Sequence, residues 1–128
     1  MRILLDTHTF LWFIEGNTRL SLTARQLIED STNERLFSIA SVWEMAIKFS
    51  LGRLKLSQPL ATLIPQQLVR NRIDLLGIAL DHTAVVSALP FHHHDPFDRL
   101  LISQAIFEQI PLISIDSVFD QYGVIRLW

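Results

Sequence analysis

The chain has 128 residues, of which 49% are hydrophobic and 19% charged, with 11 Lys and Arg against 13 Asp and Glu, a formal net charge of -2 and no cysteine. A chain of this size and composition is long enough for one core of its own, and it is neither disordered nor fibrous. The absent cysteine excludes a disulfide scaffold, a thiol nucleophile and a thiolate-bound zinc or iron–sulfur centre, and the charge balance does not favour a broad basic face for wrapping nucleic acid.

In chain order, Ile3-Leu4-Leu5 is a short continuous apolar run of the kind that forms a buried strand, and it stops at Asp6. A helix is expected through Phe10, Leu11, Phe13 and Ile14, ending near Gly16. Ser21 can cap a second helix with Leu22, Leu27 and Ile28 on its apolar side. Arg35 to Ser38 reads as a second strand, and Ser41 to about Phe49 as a helix closed by Gly52. Leu60, Leu63, Ile64 and Leu68 recur at helical spacing, with Pro65 marking a kink or a boundary. Ile73 to Ile78 is a third strand, and Asp81 to Leu89 a short helix. Phe91 to Pro96 is polar and irregular, and Phe97 to Gln109 is the clearest helix. Pro111 to Ile115 is a fourth strand stopped by Asp116, and Val124 to Leu127 a fifth at the sheet edge. Strands alternating with helices indicate an α/β domain with a mainly parallel sheet, taken as a single domain over residues 1–128. No 18-residue apolar run or signal-peptide pattern is present, so a cytoplasmic protein without a membrane span is expected.

Sites in open parallel sheets form beyond the carboxyl ends of the strands. Asp6 and Asp116 both follow strands, so neighbouring strands would bring two carboxylates to one edge. Mutually repelling carboxylates there call for a hard, oxygen-liking cation such as Mg²⁺ or Mn²⁺. Each acid also has a local structural reading. Asp6 can cap the first helix, and Asp116 can serve a turn. Ser41 and Glu44 have the spacing of a capping box, although a Glu in a first turn can equally point into a cation site. Asp95, Pro96 and Asp98 together make a strong helix start. The run His92-His93-His94 lacks metal-ligand spacing. It reads as a surface loop or a neighbour of the acidic site rather than as a zinc site. Position 8 is His, which excludes the second Asp of an aspartyl-phosphate phosphatase, and no glycine-rich phosphate loop or Ser-His-acid motif occurs.

Ordered along the chain, Ile3-Leu4-Leu5-Asp6-Thr7-His8, Ser41-Val42-Trp43-Glu44, Asp98-Arg99-Leu100-Leu101-Ile102-Ser103-Gln104-Ala105 and Leu112-Ile113-Ser114-Ile115-Asp116 resemble the motifs of the PIN-domain family, in particular its VapC-like toxin ribonucleases of type II toxin–antitoxin pairs. The segment from His94 to Arg99 resembles one subgroup, and the likeness runs from Met1 to about Phe119. The resemblance implies a three-layer α/β/α fold around a mainly parallel sheet of four or five strands. It implies that Asp6, Glu44, Asp98 and Asp116 are catalytic and hold divalent metal, Mg²⁺ with Mn²⁺ as a substitute. Asp95, Ser41 and Thr7 are expected to cap helices or support these carboxylates, and His8 and Arg99 to contact substrate, with Arg53 and Lys55 as further local basic groups. The implied activity is hydrolysis of RNA, leaving a 5′-phosphate and a 3′-hydroxyl, by a homodimer from a bacterium or archaeon. The implied partner is a cognate antitoxin encoded beside it, which inhibits by placing a peptide in the acidic groove. The rival readings are a structure-specific DNA nuclease and a non-enzymatic acidic module for protein binding and dimerisation.

Overall fold

Side-chain alternation along the first strand explains the architecture. In the computed structural model, which describes residues 1–128, β1 (Arg2–Leu5) sends Ile3 and Leu5 to one face of the sheet and Leu4 to the other, all fully buried. Around Ile3 and Leu5 pack α1 (Thr7–Glu15), α2 (Leu22–Glu29), α3 (Ile39–Ser50) and α4 (Leu60–Asn71), through Phe10, Ile28, Met45 and Ile64. Against Leu4 pack Leu101, Ile102 and Ala105 of α6 (Pro96–Glu108), beside α5 (Leu80–Ala88). The sheet is thus covered on both sides, which is why its strands read as unbroken apolar runs.

The remaining strands are β2 (Glu34–Ser38), β3 (Ile73–Leu76), β4 (Leu112–Ile113) and β5 (Arg126–Leu127), and a 3₁₀ helix spans Ser117–Tyr122. The order is β3-β2-β1-β4-β5 and every pairing is parallel, with Leu4 opposite Leu36 on one side and Leu112 on the other. The chain therefore runs outward from β1 to β3, then returns to β4 on the other flank. This reversal beside β1 is the switch point at which α/β sheets open a crevice. Asp6 stands directly at its mouth.

Two local expectations are corrected, and at Pro65 the boundary alternative is excluded. The fourth strand ends at Ile113, so Asp116 caps the 3₁₀ helix rather than ending a strand. Pro65 lies inside α4, where buried Leu63, Ile64 and Leu68 hold the helix on both sides of it. The third helix begins earlier than Ser41: Ser38, the last residue of β2, is its N-cap and accepts the Ala40 N–H at 3.0 Å. The Ser41–Glu44 pair is therefore not a capping box, and Glu44 lies in the second turn, free for another role.

Candidate active site

At the carboxyl end of β1, Asp6 caps α1 by accepting the Thr9 N–H at 2.8 Å, and it is buried. Thr9 Oγ1 donates to the Ile113 carbonyl at 3.0 Å, tying this helix start to β4. A carboxylate accepts several hydrogen bonds, so capping does not consume it. Burial pushes the Asp6 carboxyl up from its ordinary value, opposed by hydrogen bonds from Ser114 and Thr9. Cap and site are thus one residue.

Glu44 is buried on α3, and its two oxygens are held separately. Oε1 accepts the Thr7 hydroxyl at 2.6 Å, and Thr7 Oγ1 lies 2.9 Å from Ser41 Oγ. Oε2 pairs with Lys48 Nζ at 2.7 Å. Thr7 and Ser41 therefore support Glu44 from behind. Lys48, one turn further along α3, was not singled out from the sequence. Its Glu-to-Lys i,i+4 spacing was the available signal.

Asp95 caps α6, accepting the N–H groups of Phe97 at 2.8 Å and Asp98 at 3.1 Å. Asp98 sits one turn inside and is pushed up to about 8, first by burial and then by the charges of Asp95, Glu44, Asp6 and Asp116. This coupling brings the four motif acids into one electrostatic cluster. His93 joins it from the loop before α6: its Nε2 lies 3.0 Å from Asp98 Oδ2 and 3.1 Å from Asp116 Oδ2. These three side chains converge closely enough to share one ion. The donor set, mostly hard carboxylate oxygens with unbalanced charge, fits a divalent cation.

The raised Asp98 carboxyl makes metal-free stability depend on pH. Between its ordinary value of 3.8 and about 8, the folded state keeps a proton that the unfolded state has released. The contribution of Asp98 to stability is then fully present below about pH 4 and is lost as pH rises towards 8. We expect a loss of about 2 kcal/mol or more over that range in chelator. Urea unfolding at several pH values checks this, and Asp98→Asn should flatten the profile.

Arg99 has a different task from the one expected. It is buried, stacks on Phe91 at 4.0 Å, and donates to the carbonyls of Pro90 at 2.8 Å, His93 at 3.3 Å, Leu89 at 3.3 Å and Val86 at 3.4 Å. Its guanidinium organises the loop instead of meeting a phosphate, because no other side chain offers five donors in a fixed fork. Arg99→Met should cost about 2–4 kcal/mol by orphaning these carbonyls, with little rescue by Lys. Urea denaturation would show it; a loss of RNA affinity at unchanged stability would restore the contact role.

His8 is exposed beside Trp12, with ring centroids 5.7 Å apart. Together with Thr7, Lys48 and Arg53 they line a cleft of about 300 Å³ that adjoins the acidic cluster through Thr7 and Lys48. Lys55 lines a separate cleft with Glu15 and Gln67. The basic groups that line this cleft are thus His8, Lys48 and Arg53, of which Lys48 pairs directly with Glu44. No helix is long and apolar enough to cross a membrane.

Residues 3–125 match the model of the PIN domain family. Ribonuclease VapC22 of Mycobacterium tuberculosis is 32% identical over 115 residues, covering 89% of this chain and 86% of that protein. Ribonuclease VapC16 of the same organism is 37% identical over 60 residues, covering 47% of this chain and only 43% of that protein. Among solved structures, VapBC2 from Rickettsia felis bound to a DNA fragment from its promoter superposes with a TM-score of 0.72 at 16% identity, over 99% of this chain and 98% of that one. That likeness is one of fold. With its acids gathered at the switch point of that sheet and this match along nearly its whole length, the chain belongs to the PIN-domain family, in its VapC-like branch.

Proposed function

We propose that the protein is a divalent-metal-dependent endoribonuclease and the toxin of a type II toxin–antitoxin pair, acting in the cytoplasm as a homodimer. The approach of Asp98 and Asp116, which with His93 lie within reach of one ion, supports this reading together with the charges of Asp6 and Glu44 acting on Asp98, and the ribonuclease relatives support RNA as substrate. Asp6, Asp98 and Asp116 would hold Mg²⁺, or Mn²⁺ in its place, with Glu44 completing the acidic wall. The bound ion supplies Lewis acidity towards the phosphate and a lowered water pKa. Lys48 orients Glu44 through their 2.7 Å ion pair, while His8 and Arg53 face the phosphates that flank the scissile one. Hydrolysis leaves a 5′-phosphate and a 3′-hydroxyl.

The same acidic groove suits a basic side chain from an antitoxin. An Arg or Lys entering it would form charge-assisted hydrogen bonds and block the phosphate path. The test uses matched RNA and DNA substrates with Mg²⁺, Mn²⁺ or chelator, followed by analysis of product ends. Metal-dependent RNA cleavage is expected. DNA-only cleavage would replace the substrate, and inert protein with verified metal occupancy would leave only a binding module. Co-purification with the product of the adjacent gene, with loss of nuclease activity in the pair, tests the partner.

A further inference from the structure

His93 stands between two of the four acids, and its hydrogen bonds define its chemical form. Nδ1 accepts the Asp95 N–H at 3.2 Å, so in the neutral ring the hydrogen sits on Nε2. That N–H hydrogen-bonds Asp116 Oδ2 at 3.1 Å, with Asp98 Oδ2 at 3.0 Å from the same nitrogen. A metal ligand needs the opposite tautomer, with a lone pair on Nε2 and hydrogen on Nδ1. In this rotamer such a hydrogen would point at the Asp95 N–H, and two donors would meet.

The backbone around the ring is anchored. The His93 N–H donates to Tyr122 Oη at 2.7 Å, and the Tyr122 hydroxyl donates to the Pro90 carbonyl at 2.9 Å. The His93 carbonyl accepts from Arg99 at 3.3 Å. The side chain, by contrast, rests on Phe119 on one side and borders an open cleft of about 380 Å³ on the other, lined by His92, His94, Asp95, Asp116 and Val118. Rotation of the ring about its side-chain bonds would give up the Asp95 N–H bond and leave the backbone anchors of the loop in place.

We propose that His93 is a resident plug: its Nε2–H fills the gap between Asp98 and Asp116, and a divalent cation binding there displaces the ring into the adjoining cleft. The inference rests on the divalent-cation reading above. His93 is thus a positioning residue that competes with the ion for its own ligands. It keeps two carboxylates together before the ion arrives and weakens the ion's hold afterwards.

The experiment is a Mn²⁺ titration, read by the electron paramagnetic resonance of free Mn²⁺, of the wild type, His93→Ala and His93→Gln, with Asp98→Asn as the binding control. His93→Ala should bind Mn²⁺ at least fivefold more tightly than the wild type, a gain that damage to the fold would not produce. Weaker or unchanged binding in folded His93 variants would overturn the plug while leaving the metal site intact. Absence of Mn²⁺ binding in every protein would sink the metal reading, and the plug with it. Nitrogen NMR of the wild type is independent of any variant. Without ions, His93 should show the Nε2–H tautomer, and saturating Mg²⁺ should move its ring signals towards those of exposed His92 and His94. A switch to the Nδ1–H tautomer would make His93 a ligand instead.

Discussion

Asp98→Asn is expected to lower RNA cleavage by roughly a thousandfold or more, as the loss of several kcal/mol of charge stabilisation at the metal requires. Mn²⁺ affinity should fall with it. The metal-free fold should become more stable near neutral pH, because Asp98 is the carboxyl that burial and four neighbouring acids push up to about 8. Asp95→Asn is the informative comparison. Asparagine caps a helix about as well as aspartate and can still accept the N–H groups of Phe97 and Asp98. It removes a charge near Asp98 and nothing more, so activity should stay within about tenfold of wild type. Metal titration and cleavage assays on both folded variants separate the two roles. Equal, small losses would return Asp98 to the helix end, and normal metal binding by Asp98→Asn would exclude it as a ligand.

Asp6→Asn should give the second large effect, again a loss of roughly a thousandfold in turnover with the fold retained. The amide oxygen can keep the Thr9 N–H bond that caps α1, so the helix start survives. What disappears is a buried negative charge whose carboxyl burial already pushes up. Asp6→Ala should remove both functions, adding a stability cost of about 1 kcal/mol from the lost cap. Thermal unfolding and cleavage of the two variants side by side divide the cap from the chemistry. Retained turnover in Asp6→Asn would mean that the acid at the mouth of β1 serves only the helix.

The sites of error in the sequence reading share one cause. Ser41 and Glu44 match a capping box in four residues, but β2 runs into α3 with Ser38 serving both, so the true cap lies three residues upstream. Nothing local distinguishes the two starts; burial of Ser41 against Thr7 does. Arg99 next to a cluster of acids looks available for phosphate. Only the folded loop shows that carbonyls from Val86 to His93 claim its donors. The run of three histidines, by contrast, reads as a surface loop or a neighbour of the acidic site, and the fold makes its middle member that neighbour through Asp116, 23 residues away.

What the sequence determined by itself was an α/β domain with a mainly parallel sheet and Asp6 at the end of its first strand, whereas the three-layer plan and the set of four acids came from the resemblance to the PIN-domain family. The first two follow from short-range rules. A three-residue apolar run such as Ile3-Leu4-Leu5 has to be covered on two faces, and side chains that follow strands emerge at one edge of a parallel sheet. The tertiary structure decided which strand lies beside which, that β4 returns to the flank of β1, and hence that Asp116 meets Asp98 and His93. It also decided how each polar group is used. A carboxylate, a guanidinium or an imidazole can serve several partners equally well, and its role is chosen by whichever donor or acceptor the packed fold leaves within about 3 Å.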